Sequence, residues 1–159
     1  MSVLAVALIS AQNKPLFTER FDGKDDLHLL VVVHSALDMF EEHRSRKTSR
    51  ETYLGLLSLV GGLAVFGSVS NTLVKTIVVV DVAPQFTMPD DVTIDAFLKR
   101  LYLAYVRTTC NPFVNLGSTL STLPSGDPAC TENKAQPEFV ASFQKQVKSL
   151  VESTKLLTA

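Results

Sequence analysis

The chain has 159 residues, of which 46% are hydrophobic and 19% are charged, and its formal net charge is −1. This length supports one domain with a full hydrophobic core, and two cysteines are too few for a disulfide scaffold or a thiol-only zinc site, so we expect free thiols and a reducing compartment. A nucleic-acid-binding protein would carry a basic excess, which is missing here; the one basic run, at 43–50, is typical of a solvated helix end.

The beginning of the chain predicts two strands. Residues 3–10 form a continuous apolar run typical of a buried strand, and after the turn sequence AQNKP the more polar residues 16–21 indicate an edge strand. Residues 2–12, SVLAVALISAQ, also resemble the apolar part of a signal peptide. A positive residue normally precedes that part and none does here, so we expect a strand.

Residues 25 to about 46 predict a long helix. Acidic residues stand at its start and basic residues at its end, which complements the helix dipole. The middle of this segment is rich in β-branched residues and is ambiguous between helix and strand. The spacing of Leu29, Val33, Leu37 and Phe40 favours the helix.

An uncharged stretch over 52–74 has the length of a membrane span. Gly61-Gly62 lies at its centre, where a two-residue hairpin turn would lie, so we predict strands over 53–60 and 63–70 instead. A third strand follows over 73–82. Its apolar residues are consecutive rather than alternating, which predicts that both faces of the sheet are covered by helices.

Two further helices are predicted. The first starts at 89–91 and ends near Cys110, because the residue before Pro112 is pushed out of the helical region. A Ser-, Thr-, Gly- and Pro-rich loop is expected over 117–137, followed by a last helix to about Lys155. The stripes that indicate these helices are Ile94, Leu98, Leu101 and Tyr105 in the first, and Phe139, Phe143, Val147 and Leu150 in the second.

The predicted order is therefore β-β-α-β-β-β-α-α. We expect a single α/β (α+β) domain over 1–159, with a five-stranded antiparallel sheet, one helix on one face and two on the other.

Candidate catalytic residues are few. His34 and Asp38 are four residues apart, and Glu42 continues the line. This face of the helix could hold a metal ion or supply a general base. Two ligands on one helix do not make a site, so we favour a polar stripe. Cys110 lacks a signature for an activating base, so we expect a buried structural thiol. Asp81 is expected to cap a turn.

No cofactor site is expected either. The glycines at 61, 62 and 67 are not followed by the Lys-Ser/Thr pair of a phosphate-binding loop. We therefore predict that the chain is not an enzyme and binds no cofactor and no metal ion.

Four stretches resemble the sedlin family of trafficking-complex subunits. They are HSALD (34–38), YLGLL (53–57), VFGSVSNTLVK with the later VVVD (65–81), and CNPFVNLG (110–117), and the resemblance runs over 1–117. It implies a longin-like (SNARE-like) fold and a non-catalytic adaptor in TRAPP, a tether that exchanges guanine nucleotides on Rab GTPases in ER–Golgi and Golgi transport. It further implies a cytoplasmic protein peripheral to those membranes, whose partners are other small TRAPP subunits, larger peripheral subunits and, indirectly, a Rab.

Departures from the family pattern concern the outer contacts. The linker between the third and fourth strands, SLVGGLA, is apolar where the family has a polar one, and the 117–137 loop is an insertion.

The partner-binding surface is predicted from apolar residues that the domain cannot cover alone. The first helix is apolar around most of its circumference, and the Gly-Gly hairpin would present an apolar tip on an edge strand. The residues expected to contact a partner are Leu27, Leu30, Val31, His34, Asp38, Leu59, Val60 and Leu63. Asp38 would pair or cap at the seam.

Two other classes of function remain open at this point. One is another longin-type binding module, an adaptor or a SNARE-regulatory domain; a SNARE would need a heptad segment and a membrane anchor after the domain, and we expect neither. The other is a small cytosolic enzyme that uses Cys110 or the His34–Asp38 pair.

Overall fold

Five strands and three helices follow one another in the predicted order. The computed structural model describes residues 2–21, 26–46, 52–82, 89–111 and 137–156, and side chains for all of these but 26–30, 44–46, 137–139 and 154–156. The elements are β1 (Ser2–Ile9), β2 (Pro15–Arg20), α1 (Asp26–Arg46), β3 (Tyr53–Val60), β4 (Leu63–Val69), β5 (Lys75–Asp81), α2 (Asp91–Thr109) and α3 (Pro137–Leu156).

The sheet is antiparallel throughout, with the strand order β2-β1-β5-β4-β3. The first and the last strand in the chain, β1 and β5, pair in the middle of the sheet. The strands β2 and β3 are therefore its two edges. The uncharged stretch that could have been a membrane span is the β3–β4 hairpin, which turns at Gly61-Gly62 with both φ angles positive. Among the helices in the described ranges, none is long and apolar enough to cross a membrane.

The central strand β5 has both faces covered, as its unbroken apolar run predicts. Ile77 and Val79 belong to the core layer beneath α1, whereas Val78 and Val80 belong to the layer beneath α2 and α3. Successive side chains of a strand point to opposite faces, so one strand supplies both layers. The predicted architecture, one helix on one face and two on the other, is confirmed and matches a longin-like fold.

The two faces of the sheet have different centres of packing. On the α1 face, Phe40 is fully buried and sits over β4, while on the opposite face Phe143 of α3 packs edge-to-face against Phe17 of β2, with ring centroids 4.7 Å apart. Edge-to-face pairs at this separation contribute about 0.5–1.5 kcal/mol beyond the area that they bury. The aromatic pair therefore fastens α3 to the β2 side of the sheet.

The helix ends follow the sequence signals. The helix α2 ends at Thr109 with Cys110 as its C-cap residue, in agreement with the stop predicted from Pro112. The helix α3 spans Pro137–Leu156, with Phe143, Val147 and Val151 buried. The predicted loop over 117–137 lies outside the described residues up to position 136, and so does Cys130.

Candidate functional site

The helix α1 has a buried and an exposed face in its described part. Val32, Val33, Ala36, Leu37 and Phe40 are buried against the sheet. The exposed positions are Val31, His34, Ser35, Asp38, Glu41 and Glu42, so the expectation that this helix is apolar around most of its circumference is wrong for the side chains that the structure describes. Leu37 and Phe40 face the core, and Val31, 55% exposed, is the apolar residue on the outer face. Of the predicted contact residues in α1, Leu27 and Leu30 lie outside the described side chains.

His34 and Asp38 lie on the outer face of α1, where the spacing of four residues predicts them. Both side chains are exposed. No set of three or more His, Cys, Asp or Glu side chains is placed to hold a metal ion in the part of the chain that the structure describes. The two residues form an exposed polar stripe on this helix.

The second predicted contact region is the turn end of β3. Among the strands that the structure describes, β3 pairs with β4 alone, so its other side is an edge of the sheet. Leu59 and Val60 are 59% and 45% exposed, and Gly61-Gly62 follow them. Leu63 is only half-buried and packs against the core beneath α1, so it contributes less to the exposed tip than we expected.

The pairing register divides these residues between the two faces of the sheet. Val60 pairs with Leu63, and Leu59 pairs with Ala64. Directly paired residues share a face, Leu63 packs in the layer beneath α1, and Ala64 lies in the layer beneath α2. Val60 is therefore on the α1 side and Leu59 on the opposite side, so a partner that covers α1 meets Val60 first.

The edge of β3 is regular only near its turn. The register shifts between Tyr53 and Gly55 and again between Leu56 and Ser58, and Gly55 has a φ of 83°. Bulges of this kind protect a sheet edge from pairing with another strand. The stretch from Ser58 to Val60 pairs without interruption, so the accessible part of the edge coincides with the exposed apolar residues.

The first half of α1 and the hairpin turn lie toward the same end of the domain. A Cβ atom at Gly67 would lie 2.5 Å from Cζ of Phe40, and Gly67 pairs with Gly55 near the start of β3. Residues 47–52 join the end of α1 to that start, so we infer that α1 runs back along β3. Val31 precedes Phe40 by nine residues, or about 13 Å of helix, in the direction of the turn.

A buried lysine anchors the second half of α1. Lys75 is buried at the start of β5, and its Nζ donates a hydrogen bond to Oδ1 of Asn13 at 2.6 Å. The same Nζ is 3.5 Å from Oε1 of Glu41 and 5.8 Å from the ring centroid of Phe40. A buried ammonium group needs such partners, because an unpaired buried charge is strongly destabilising. This contact fixes α1 against the β1–β2 turn.

A tyrosine links the edge strand to the other face of the molecule. The hydroxyl of Tyr53 donates a hydrogen bond to Oδ1 of Asp91 at 2.9 Å, which joins the start of β3 to the first turn of α2. Burial raises the pKa of the Tyr53 hydroxyl well above its usual range, and the hydrogen bond to Asp91 and the charges of Asp95 and Asp90 raise it further. The hydroxyl is neutral at neutral pH and acts as a donor.

Cys110 is exposed and carries a free thiol, so the expectation of a buried structural thiol is wrong. The physical reason is helical geometry. Leu101 is on the buried stripe of α2, and nine further residues at 100° each bring Cys110 to the opposite side of the helix.

A groove between α2 and α3 was not predicted. It has a volume of about 790 Å³, and its lining includes Arg100, Arg107 and Lys145. Sequence reasoning missed it because the lining residues come from two helices that are far apart in the chain. One signal was available in the sequence: no acidic residue lies three or four positions from Arg100, Arg107 or Lys145.

The model of the sedlin family matches residues 8–125. The chain belongs to the sedlin family. Trafficking protein particle complex subunit 2-like proteins are similar to it: the Bos taurus and Mus musculus proteins are each 32% identical over 124 residues, and the Dictyostelium discoideum protein is 31% identical over 126.

The similarity covers most of both chains. The alignments span 75% of this sedlin-family chain with the Bos taurus and Mus musculus proteins and 76% with the Dictyostelium discoideum protein, and 88% of each relative. The region matched by the family model begins in β1 and ends before α3, so it contains α1 and the β3–β4 hairpin.

Proposed function

We propose that this protein is a non-catalytic adaptor subunit of a trafficking protein particle complex. Membership of the sedlin family and similarity to proteins named as subunits of that complex support this role. In the finer form of the proposal, the complex is a tether and a Rab guanine-nucleotide exchange factor in ER-to-Golgi and Golgi transport, and the protein is cytoplasmic and peripheral to those membranes. It would contact a Rab GTPase only through the complex.

The observation that carries the proposal is the unpaired edge of β3 with exposed apolar residues at its turn end. Leu59 and Val60 lie on an edge strand, whose outer backbone N–H and C=O groups can form hydrogen bonds with another chain. An exposed apolar edge of this kind is an aggregation hazard unless a neighbouring protein covers it. A subunit that is always assembled with others can tolerate such an edge.

The proposed docking surface combines this edge with the outer face of α1. Val31, His34 and Asp38 would supply one part, and Val60 and Leu63 the adjoining part on the same side of the sheet. A stable interface needs about 800 Å² from each partner, which one helix face alone does not offer. Leu27 and Leu30 extend the set along α1, and Leu59 would contact a partner that wraps around the edge.

The two parts would have different energetic roles. Val31 and Val60 are apolar and exposed, so their burial would contribute affinity, whereas Asp38 would pair with a cation or accept backbone N–H bonds and so fix the orientation. The expected partners are other small subunits of the complex and larger peripheral subunits.

Co-purification with the other small subunits tests this placement. Val31→Glu, Asp38→Ala and Val60→Ser each change an exposed side chain, so the fold is expected to survive and can be checked by circular dichroism. Each variant should recover less of the small subunits than the wild type does. Val92→Ser is the matched control, because Val92 is exposed on α2, on the opposite face of the sheet.

Two results would count against the proposal in different ways. If all three variants recover the small subunits as well as Val92→Ser does, the docking surface is misplaced although the protein still belongs to a complex. If the wild-type protein, monodisperse and folded, recovers none of the subunits, the assembly role itself is wrong.

A further inference from the structure

The groove between α2 and α3 lies on the face of the molecule opposite α1, away from the proposed docking surface. It runs along the outer side of both helices and is open to solvent. Its lining includes Arg100, Leu103, Ala104, Arg107, Lys145 and Leu150, together with five uncharged polar residues. Every charged residue of this set is a cation, although the chain as a whole has a net charge of −1.

The three cations of the groove are not neutralised along their own helices. Oppositely charged residues three or four positions apart on a helix commonly form pairs. The positions three and four before and after Arg100, Arg107 and Lys145 hold no Asp and no Glu. No ion pair joins these three cations to any carboxylate whose side chain the structure describes.

Neighbouring lysines on the same two helices are paired, which shows that the groove is different from the rest of this surface. Nζ of Lys99 lies 2.6 Å from Oδ2 of Asp95, one turn earlier in α2. Nζ of Lys148 lies 3.3 Å from Oε1 of the buried Glu19 in β2. The chain therefore provides acidic partners just outside the groove and leaves the cations that line it available.

The wall between the cations has an apolar patch among uncharged polar residues. Leu103 is 48% exposed, and Ala104 and Leu150 line the groove beside it. Arg100 and Arg107 are seven residues apart on α2, which is about 10 Å, or two helical turns. The groove thus presents positive charge on both walls, with an apolar contact between them. The spacing of the two arginines allows a helix or a short extended segment to contact both.

We propose that this groove binds an acidic linear segment of a partner protein that places one or two apolar side chains against Leu103. Carboxylates of the segment would contact Arg100 and Arg107 on one wall and Lys145 on the other. A flat anionic membrane fits less well, because the cations line a concave surface and an apolar side chain lies between them.

A fluorescent peptide rich in glutamate, with leucines one helical turn apart, is the probe for this proposal. The full-length protein should bind it in an anisotropy titration and should bind the same peptide with glutamines in place of glutamates much more weakly. The Arg107→Gln, Lys145→Gln double variant removes one cation from each wall. Each exposed charge pair contributes a factor of about 1.4 to 5 in affinity, so the double variant should bind about 2- to 25-fold more weakly.

Two controls separate the groove from general charge effects. Lys99→Gln removes a positive charge from α2 outside the groove, and its affinity for the probe should equal that of the wild type. Salt is a test that needs no variant, because an interaction between exposed charges should weaken as potassium chloride is raised.

Several results would overturn the proposal. They are the absence of saturable binding to the glutamate peptide, equal loss of affinity in Lys99→Gln and the double variant, and binding that does not respond to salt. Vesicles of phosphatidylcholine and phosphatidylserine form a separate arm. If the protein binds these vesicles through Arg107 and Lys145 and ignores the peptide, the groove recognises a membrane and the proposal is wrong.

Discussion

Replacing Phe143 with Ala tests whether α3 belongs to the same folding unit as the sheet. The region matched by the family model ends before α3, yet Phe143 is fully buried and its ring packs edge-to-face against Phe17 at 4.7 Å. If α3 only rested on a finished domain, its removal would cost little. If it completes the core, truncation of this ring leaves a cavity beneath the helix and exposes β2.

The expected loss is large compared with the stability of a domain. Truncation of a fully buried Phe costs about 3–5 kcal/mol, against a total of about 5–15 kcal/mol. For a chain of this size each kcal/mol lowers the melting temperature by about 2–4 °C, so Phe143→Ala should melt about 6–20 °C below the wild type. Urea denaturation followed by circular dichroism measures the free energy, and differential scanning calorimetry measures the melting temperature.

Val92→Ala provides the comparison, because Val92 is 73% exposed on α2 and its truncation should change the free energy of unfolding by no more than about 0.5 kcal/mol. A Phe143→Ala variant that unfolds within about 1 kcal/mol of Val92→Ala would refute the argument. A second, separate unfolding transition for α3 would also contradict a single domain.

Three further predictions concern the α1 face, the edge strand and the exposed thiol. Gly67→Val should lower the free energy of unfolding by about 1–3 kcal/mol, because a Cβ atom at this position lies 2.5 Å from the ring of Phe40. An unchanged urea midpoint would show that α1 moves away without cost. Tyr53 has a pKa raised in the folded state, so its contribution to stability is complete below the unfolded pKa of about 10 and is lost as pH rises further. Tyr53→Phe should therefore lose less stability than the wild type above that pH in paired urea titrations, and parallel curves would contradict the raised pKa that burial and the hydrogen bond to Asp91 cause. In a Cys130→Ser background, Cys110 should react with a thiol reagent in the native protein without unfolding, and the further change Cys110→Ser should abolish that reaction. Protection of Cys110 in the native state would show that its thiol is covered.

The order and type of the elements were predictable because they depend on neighbouring residues. The unbroken apolar run of β5 required cover on both faces, and the burial of its residues in both core layers confirms it. The Gly61-Gly62 pair required a turn, which distinguished a hairpin from a membrane span. Pro112 ended α2 at the expected place. Each of these signals depends on a few consecutive residues, whose backbone geometry and side-chain spacing allow few types of secondary structure.

The surface could be predicted only in part, because exposure depends on elements that meet across the chain. Spacing alone placed His34 and Asp38 on one face of α1, but it did not show that most of the apolar residues of this helix face the sheet. Leu59 and Val60 were expected on one tip, whereas two register shifts in β3 set which side chain faces α1. The burial of Lys75 depends on Asn13 and Glu41, which are far from it in sequence.

Local sequence thus determined which segments are helices and strands and which of the strands are edges. The tertiary structure alone decided which side of α1 is exposed, that Cys110 faces solvent, and that Arg100, Arg107 and Lys145 line one groove. The physical reason is that periodicity is a property of consecutive residues, whereas register, burial and the meeting of two helices depend on residues that only folding brings together.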